Sequence, residues 1–511
     1  MEGEESDMKK VHAKKFIRGL CGIVASACVL VGSSMVAHAE GNYTYCYDYW
    51  GEVQCSPDAY DVVGVYTYLD LGMEQQFNNP QGMTVVGDSV YICDTGNNRI
   101  LEFKRTALDK LELVRTIDEI KGDVEVKTFK NPKDFQIDEF GDYYIADTDN
   151  NRVLKTDADL NYIQQFDKPD DSSLDENLVF QPTKLVVDGA GRVYCIATGI
   201  NKGLIKYEAD GKFSGFVGAT PVVYEFWDYV WKRLASQEQR DKLLNFVPTE
   251  YDNLYRDHDG FIYVVSASLK EEDLKAEKAQ AIRKLNLMGS DILIRNGDFP
   301  VYGDLYMGTG GGHDGPSQII DVTVFDNDVY VMLDKNRGRL FTYDSQGRLL
   351  YTFGGNGNEN GKFRTPVAIE HMGYDLFVLD NLDKSITIFT PNDYGNMIFQ
   401  AIDQFDAGMY NESGETWQSV MDLNGNYDLA YIGVGRSLLR QERYKEAMKY
   451  FELKYNDDNY SKALKQYRKE WVEEHILTIF ILVFLVLVVR LIIGRIGKIK
   501  HQIDTADIFK F

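Results

Sequence analysis

Residues 90–103 read VYICDTGNNRILEF and residues 143–156 read YYIADTDNNRVLKT, so that two short apolar runs flank the same polar turn in each. A proline-led strand precedes each copy, starting at Pro80 and at Pro132. Weaker versions of the unit begin at Pro182, Pro248, Ile319 and Pro366, giving six in all. Short apolar strands cut by Gly, Asn and Asp turns and recurring at roughly fifty residues predict a β-propeller, in which each repeat is a four-stranded blade that cannot bury its faces alone. The expected fold class is therefore an all-β six-bladed propeller over residues 61–392.

The turns carry residues that tolerate positive φ in tight hairpins. Asp94-Thr95-Gly96-Asn97-Asn98-Arg99 and Asp147-Thr148-Asp149-Asn150-Asn151-Arg152 resemble the Asp-Thr-x-Asn-x-Arg mark of NHL repeats, with Arg99 and Arg152 in the arginine position. Later copies degenerate, to Asn336-Arg337-Gly338-Arg339 in the fifth blade and Asp383-Lys384 in the sixth. The resemblance implies an NHL-type propeller and leaves the function open. The sixth unit offers only three strands before Pro391, while a strand-like run at residues 62–71 stands unassigned ahead of the first. That run is expected to supply the missing outer strand, pinning the ring and removing an open edge.

A helical pattern follows the propeller, over residues 393–470. Tyr431, Val434, Gly435, Leu438, Ala447 and Phe451 fall on the aromatic, large, small, large, small and aromatic positions of a motif that resembles a tetratricopeptide repeat. An upstream partner at about residues 398–423, with Gly414 at its turn and Trp417 on its second helix, looks like a degenerate copy. Such repeats bind peptides or proteins in a concave groove, and a rigid stalk is the competing reading.

Two apolar segments predict the address. A basic stretch, an apolar run at residues 20–36 and Ala37-His38-Ala39 give the three regions of a secretory signal, placing a signal peptide at residues 1–39. Residues 476–494 are apolar apart from Arg490 and long enough to cross a hydrocarbon core, which sets a transmembrane helix at residues 475–494 and a tail at residues 495–511. Acidic Glu473 and Glu474 lie on one side and Arg495, Lys498 and Lys500 on the other, so the positive-inside rule predicts a single-pass, type I cell-membrane protein with an extracellular ectodomain.

Composition adds a formal net charge of -24, which excludes nucleic acid as a partner because its phosphates would be repelled. Cys46 and Cys55 lie close together in an N-terminal segment, residues 40–60, where a disulfide would suit an exported chain; Cys93 and Cys195 fall within blade strands and read as buried apolar residues. Function is expected in the insertions, since the propeller framework is fixed. Residues 220–246 are rich in aromatics, residues 270–284 form a charged helix, and residues 296–317 hold a glycine-rich loop. If the face bearing them binds a ligand, Trp227, Trp231 and Tyr306 are the candidate contacts, although aromatics also pack helices onto blades.

Some NHL propellers are lyases that hold a metal with histidines. The mature ectodomain offers only His258, His313 and His371, at non-equivalent blade positions, the first and last in turns, so no metal, cofactor or catalytic residue is assigned. The reading is a membrane-anchored binding or scaffold protein with protein, carbohydrate or wall-polymer partners. The whole arrangement resembles bacterial NHL-repeat membrane proteins found beside carbohydrate transporter components, which implies assistance to such a complex. The alternative is a glycan- or peptide-processing lyase or hydrolase with its site at the propeller channel.

Overall fold

A computed structural model describes residues 44–172, 174–219, 251–269, 273–274, 279–306 and 315–507. The expected signal peptide, Trp227, Trp231 and His313 lie outside the described residues.

The described chain starts with a hairpin, β1 (Thr44–Tyr47) and β2 (Val53–Ser56), and a lone strand, β3 (Tyr60–Tyr66). Blade one follows as β4 (Gly82–Val86), β5 (Ser89–Asp94), β6 (Arg99–Ala107) and β7 (Lys110–Ile117). Blade two is β8 (Pro132–Ile137), β9 (Tyr143–Asp147), β10 (Arg152–Thr156) and β11 (Tyr162–Phe166). Blade three is β12 (Pro182–Val187), β13 (Val193–Ala197), β14 (Leu204–Tyr207) and β15 (Phe213–Val217). Among the described residues blade four has three strands, β16 (Asn253–Arg256), β17 (Ile262–Val265) and β18 (Ile282–Leu285). The charged insertion expected to run to residue 284 therefore ends before β18. Blade five is β19 (Ile319–Val324), β20 (Tyr330–Asp334), β21 (Arg339–Tyr343) and β22 (Leu349–Gly354). The last blade contributes β23 (Pro366–Met372), β24 (Asp375–Asp380) and β25 (Ser385–Pro391).

Closure occurs where the sequence placed it: β3 pairs antiparallel with β25, from Ile386 opposite Tyr66 to Pro391 opposite Tyr60. The innermost strands then neighbour one another in a ring, β4, β8, β12, β16, β19, β23 and back to β4. Apolar side chains fill the wedges between blades, as in the cluster of Tyr91, Cys93, Ile100, Phe135, Ile145 and Leu154 between blades one and two. Each blade thus buries its faces on its neighbours.

The repeated turn motif has a structural job. Asp94 accepts the Asn78 backbone N–H at 2.7 Å and ion-pairs with Arg99 at 2.8 Å, and Asp147 does the same with Lys130 N–H at 2.8 Å and Arg152 at 2.9 Å. Thr95 and Thr148 each donate across to the next blade, to the carbonyls of Pro132 and Pro182, both at 2.7 Å. Asn98 at φ 54° and Asn151 at φ 60° end the turn in the left-handed region, which asparagine tolerates. The motif therefore staples blade to blade.

The N-terminal hairpin corrects one expectation. Instead of standing alone with a disulfide, β1 and β2 extend blade five into a six-stranded sheet, Tyr45 pairing with Thr352 of β22. Cys46 lies opposite Gln54 and Cys55 opposite Tyr45, so the two thiols point to opposite faces of the hairpin and both are free. Burial pushes the Cys46 thiol up to about 12.

Five helices end the chain: α1 (Asp393–Asp406), α2 (Tyr410–Leu423), α3 (Asp428–Arg440), α4 (Tyr444–Leu453) and α5 (Asp457–Asp507). Asn392 caps α1 by accepting the Gly395 N–H at 3.1 Å. The helices pack in sequence order, α1 on α2, α2 on α3, α3 on α4 and α4 on the start of α5. A Cβ on Gly433 would sit 2.6 Å from the Trp417 indole and one on Gly435 2.6 Å from the Phe451 ring, so both small positions exist to admit an aromatic. Gly414 is not in the turn; it lies inside α2 against Ser437, and Gly408, at φ 79°, follows α1 instead.

The helices and blades five and six share one core. Phe399 stacks on Tyr374 at 4.3 Å, Tyr374 donates to Asp403 at 2.8 Å, and Tyr427 donates to the Leu350 carbonyl of β22 at 2.9 Å. Helix α5 runs unbroken from this core through residues 476–494 and is the one described helix long and apolar enough to cross a membrane.

Candidate functional site

Of the expected contacts only Tyr306 is described. It is 62% exposed, and its backbone carbonyl accepts from Arg337 at 2.8 Å while its N–H donates to Asp304 at 3.0 Å, so the loop is held and the ring is free. His258 sits in a turn beside Asp259. His371, expected in a turn, is inside β23, partly buried, and 2.6 Å from the Thr323 hydroxyl. Burial pushes its imidazole down to about 4, leaving it neutral. Among the described residues no group of His, Cys, Asp or Glu is arranged to hold a metal.

The structure brings together a set of polar residues in the central channel that sequence reading passed over. In four of the six inner strands the position at or just after the strand's opening carries a polar residue, Asp134, Lys184, Asn253 and Asp321, while the equivalent positions in blades one and six are Gly82 and Ala368. Two positions on, Thr84, Gln136, Tyr255 and Glu370 form a second tier. They line a cavity of about 190 Å³. The signal was visible as charged residues inside otherwise apolar proline-led strands, at Asp134 and Lys184, but only alignment of the six strands exposes it.

Most of these groups hold the ring together. Asp134 accepts the Leu185 N–H of the next blade at 2.8 Å, and Asp321 accepts the Ile369 N–H of its next blade at 2.8 Å. Asn253 donates to Asp321 at 2.6 Å, and Thr84 donates to the Phe135 carbonyl. Lys184 is the ammonium among three carboxyls, 3.9 Å from Asp134. Burial pushes Asp321 up to about 7 against the pull of Lys184, and burial with the neighbouring Asp321 and Asp134 pushes Glu370 well above the usual carboxylate range. A carboxyl still protonated at neutral pH can donate a proton or a hydrogen bond.

A second site lies where the helices meet the propeller. A groove of about 960 Å³ opens between the 344–348 turn of blade five, α3, and the start of α5. Arg348, Arg436 and Arg440 lie along it, with Tyr49 and Tyr455 at one end. Those two rings approach to 5.3 Å and cluster with Trp50, 70% exposed. Arg348 pairs with Asp344 at 3.0 Å. Arg436 is mostly buried, its guanidinium 4.4 Å over the Phe405 ring, and among the described residues no hydrogen-bond or ion-pair partner reaches it. Burial, then repulsion from Arg348, pushes Arg436 down to about 10, so it stays charged at neutral pH. Sequence reading missed it because the helical pattern was read for its apolar and small positions, and Arg436 sits between two of them, Gly435 and Leu438.

Comparison with known proteins adds the following. The model of the NHL repeat family matches residues 77–103, which span the lead-in to β4 and most of β6. No curated protein matches the chain. Among solved structures the chain is similar to a catalytically inactive variant of virginiamycin B lyase from Staphylococcus aureus with quinupristin, at 13% identity over 62% of this chain and 81% of that one, TM-score 0.37. A selenomethionine-substituted virginiamycin B lyase from the same organism gives 12%, 65%, 100% and 0.37. A streptogramin B lyase gives 12%, 66%, 100% and 0.39.

Proposed function

We propose that the chain is a binding or scaffold protein of the bacterial cell surface, held in the membrane by α5 as a single-pass type I protein, whose helical repeats and propeller together present one site to a protein or glycan partner. The observation that carries this is the shared core of the helices with blades five and six, which leaves a deep polar groove between two interaction folds instead of a loose stalk. Support for the anchor comes from the apolar run of α5, with Glu470, Glu473 and Glu474 immediately before it and Arg490, Arg495, Lys498 and Lys500 at and beyond its end. A non-enzymatic role fits the channel, where Asp134, Asn253 and Asp321 are occupied in bonds between blades. The resemblance to transporter-associated NHL proteins makes a carbohydrate-uptake complex the partner to look for. Affinity capture of the full chain from solubilised membranes tests this; recovery of no transporter subunit removes that partner, and protease digestion of intact cells that spares the propeller removes the orientation.

One observation favours a second reading, a channel enzyme acting on a glycan or peptide. Glu370 carries a raised pKa and faces the channel cavity. Glu370→Gln would abolish any turnover found on a panel of glycans and peptides, whereas retained turnover would end this reading.

A further inference from the structure

We propose that the groove between blade five and the helical repeats is a receptor for an acidic peptide segment in extended conformation, with Arg436 as the residue that takes its carboxylate. This rests on the binding reading above and names its partner by chemistry. A mostly buried guanidinium without a counter-charge is costly unless something completes it. Arg436 has only the face of Phe405, and the carboxylates of Asp344 and Asp406 act on it from beyond ion-pair distance. Arg348 is already held by Asp344, while Arg440 is exposed on the same helix one turn on. Planar forks at Arg436 and Arg440 suit a carboxylate bound by paired N–H groups, and a second carboxylate nearby on the same strand.

The rest of the lining fits a peptide in preference to a free anion or a lipid surface. Asn296 donates to Gln346 at 3.1 Å and Asn459 to Asn456 at 2.8 Å, which leaves Gln466 and the remaining N–H and C=O capacity of these amides for an extended backbone. The aromatic trio of Tyr49, Trp50 and Tyr455 at one end supplies an exposed platform for an apolar side chain. Asp298, Glu442, Asp457 and Asp458 also line the groove, with Lys462 and Lys469, so a broad anionic membrane would meet repulsion as well as attraction, whereas a short segment can seat its carboxylates at Arg436 and Arg440 alone. A peptide with acidic and apolar positions can match the mixture.

The test uses the full chain in detergent and a short labelled peptide alternating glutamate and alanine, with its glutamine counterpart as control, read by fluorescence anisotropy at two salt concentrations. Binding of the glutamate peptide alone is expected, weaker at high salt, and reduced at least about tenfold by Arg436→Gln, equivalent to about 1.4 kcal/mol. Because Arg436 is unpaired, Arg436→Gln is expected to leave the melting temperature of the free protein unchanged or raised; a clear fall would make Arg436 structural and overturn the assignment. Arg440→Gln, on an exposed residue, keeps the question open to test in a folded protein and is expected to weaken binding severalfold. Equal binding of the glutamine peptide, no binding of either, or binding of anionic vesicles in place of the peptide would each overturn the proposal. If peptide binding fails while a partner is still captured from membranes, the receptor reading stands and only the chemistry of its groove is refuted.

Discussion

Tyr427 is one of the buried side chains that couple the C-terminal helices to the propeller. Its ring is 1% exposed, close to Tyr394 and Trp417, and its hydroxyl donates to the Leu350 carbonyl of β22 at 2.9 Å. Tyr427→Phe keeps the ring and strands a buried carbonyl, which costs about 1–3 kcal/mol. Tyr427→Ala removes the ring as well, and a buried aromatic cut to alanine costs about 3–5 kcal/mol. Against a domain stability of about 5–15 kcal/mol the second change brings the protein near its limit, while the first leaves it folded and measurable. Hydrogen exchange followed by mass spectrometry on the full chain reads the effect segment by segment. At about 1.4 kcal/mol per tenfold, Tyr427→Phe is expected to speed exchange by roughly tenfold in α3 and in β22 together. Faster exchange confined to α3, with β22 as protected as before, would refute the single shared core from which the groove was argued.

Further outcomes follow from other residues. Asp321 is raised to about 7 in the fold from an ordinary value of 3.8, so the folded state binds the extra proton between those limits and the contribution of Asp321 to stability falls as pH rises through the window. The stability difference between wild type and Asp321→Asn, measured by denaturant titration, should therefore shrink from pH 4 to pH 7; a flat difference would contradict the burial argument. Thr148→Val removes a buried hydroxyl that donates to the Pro182 carbonyl of blade three and is expected to lower stability by about 1–2 kcal/mol, with an effect no larger than a surface change counting against the stapling role of the turn motif. Of the cysteines at 46, 55, 93 and 195 only Cys55 is exposed, so a thiol reagent should label it first and a reductant should leave the melting temperature unchanged; a melting point lowered by reductant would restore the Cys46–Cys55 bridge. Deleting residues 476–494 should move the protein to the soluble fraction, and its retention in the membrane would show a different anchor.

The propeller was legible in the sequence because each blade repeats its own local chemistry, an apolar run, an Asp-anchored turn and a second apolar run. Even the closure by β3 could be read, since a strand without partners and a blade short of a strand define each other. The N-terminal hairpin could not, because its pairing with β22 rests on backbone edges that leave no mark in the spacing of Cys46 and Cys55. The helical pattern located Trp417, Gly435 and Phe451 but misplaced the turn at Gly414, whose small side chain serves helix packing against Ser437. Both candidate sites escaped for one physical reason. The channel residues Asp134, Lys184 and Asp321 share one place in the repeat but change type from blade to blade, and the groove residues Arg348 and Arg436 come from a strand turn and a helix, so neither set recurs as a motif.

The central claim is that the chain engages its partner through the groove between propeller and helices. Site-specific photocrosslinking in the producing cells tests it directly, with the photoreactive residue placed at Tyr455 in the groove lining and, for comparison, at Phe140, 79% exposed in the β8–β9 turn of blade two and outside that lining. The account predicts a discrete adduct from position 455 that disappears with Arg436→Gln, and none from position 140. Equal adducts from both positions, or an adduct at 455 indifferent to Arg436, would contradict it.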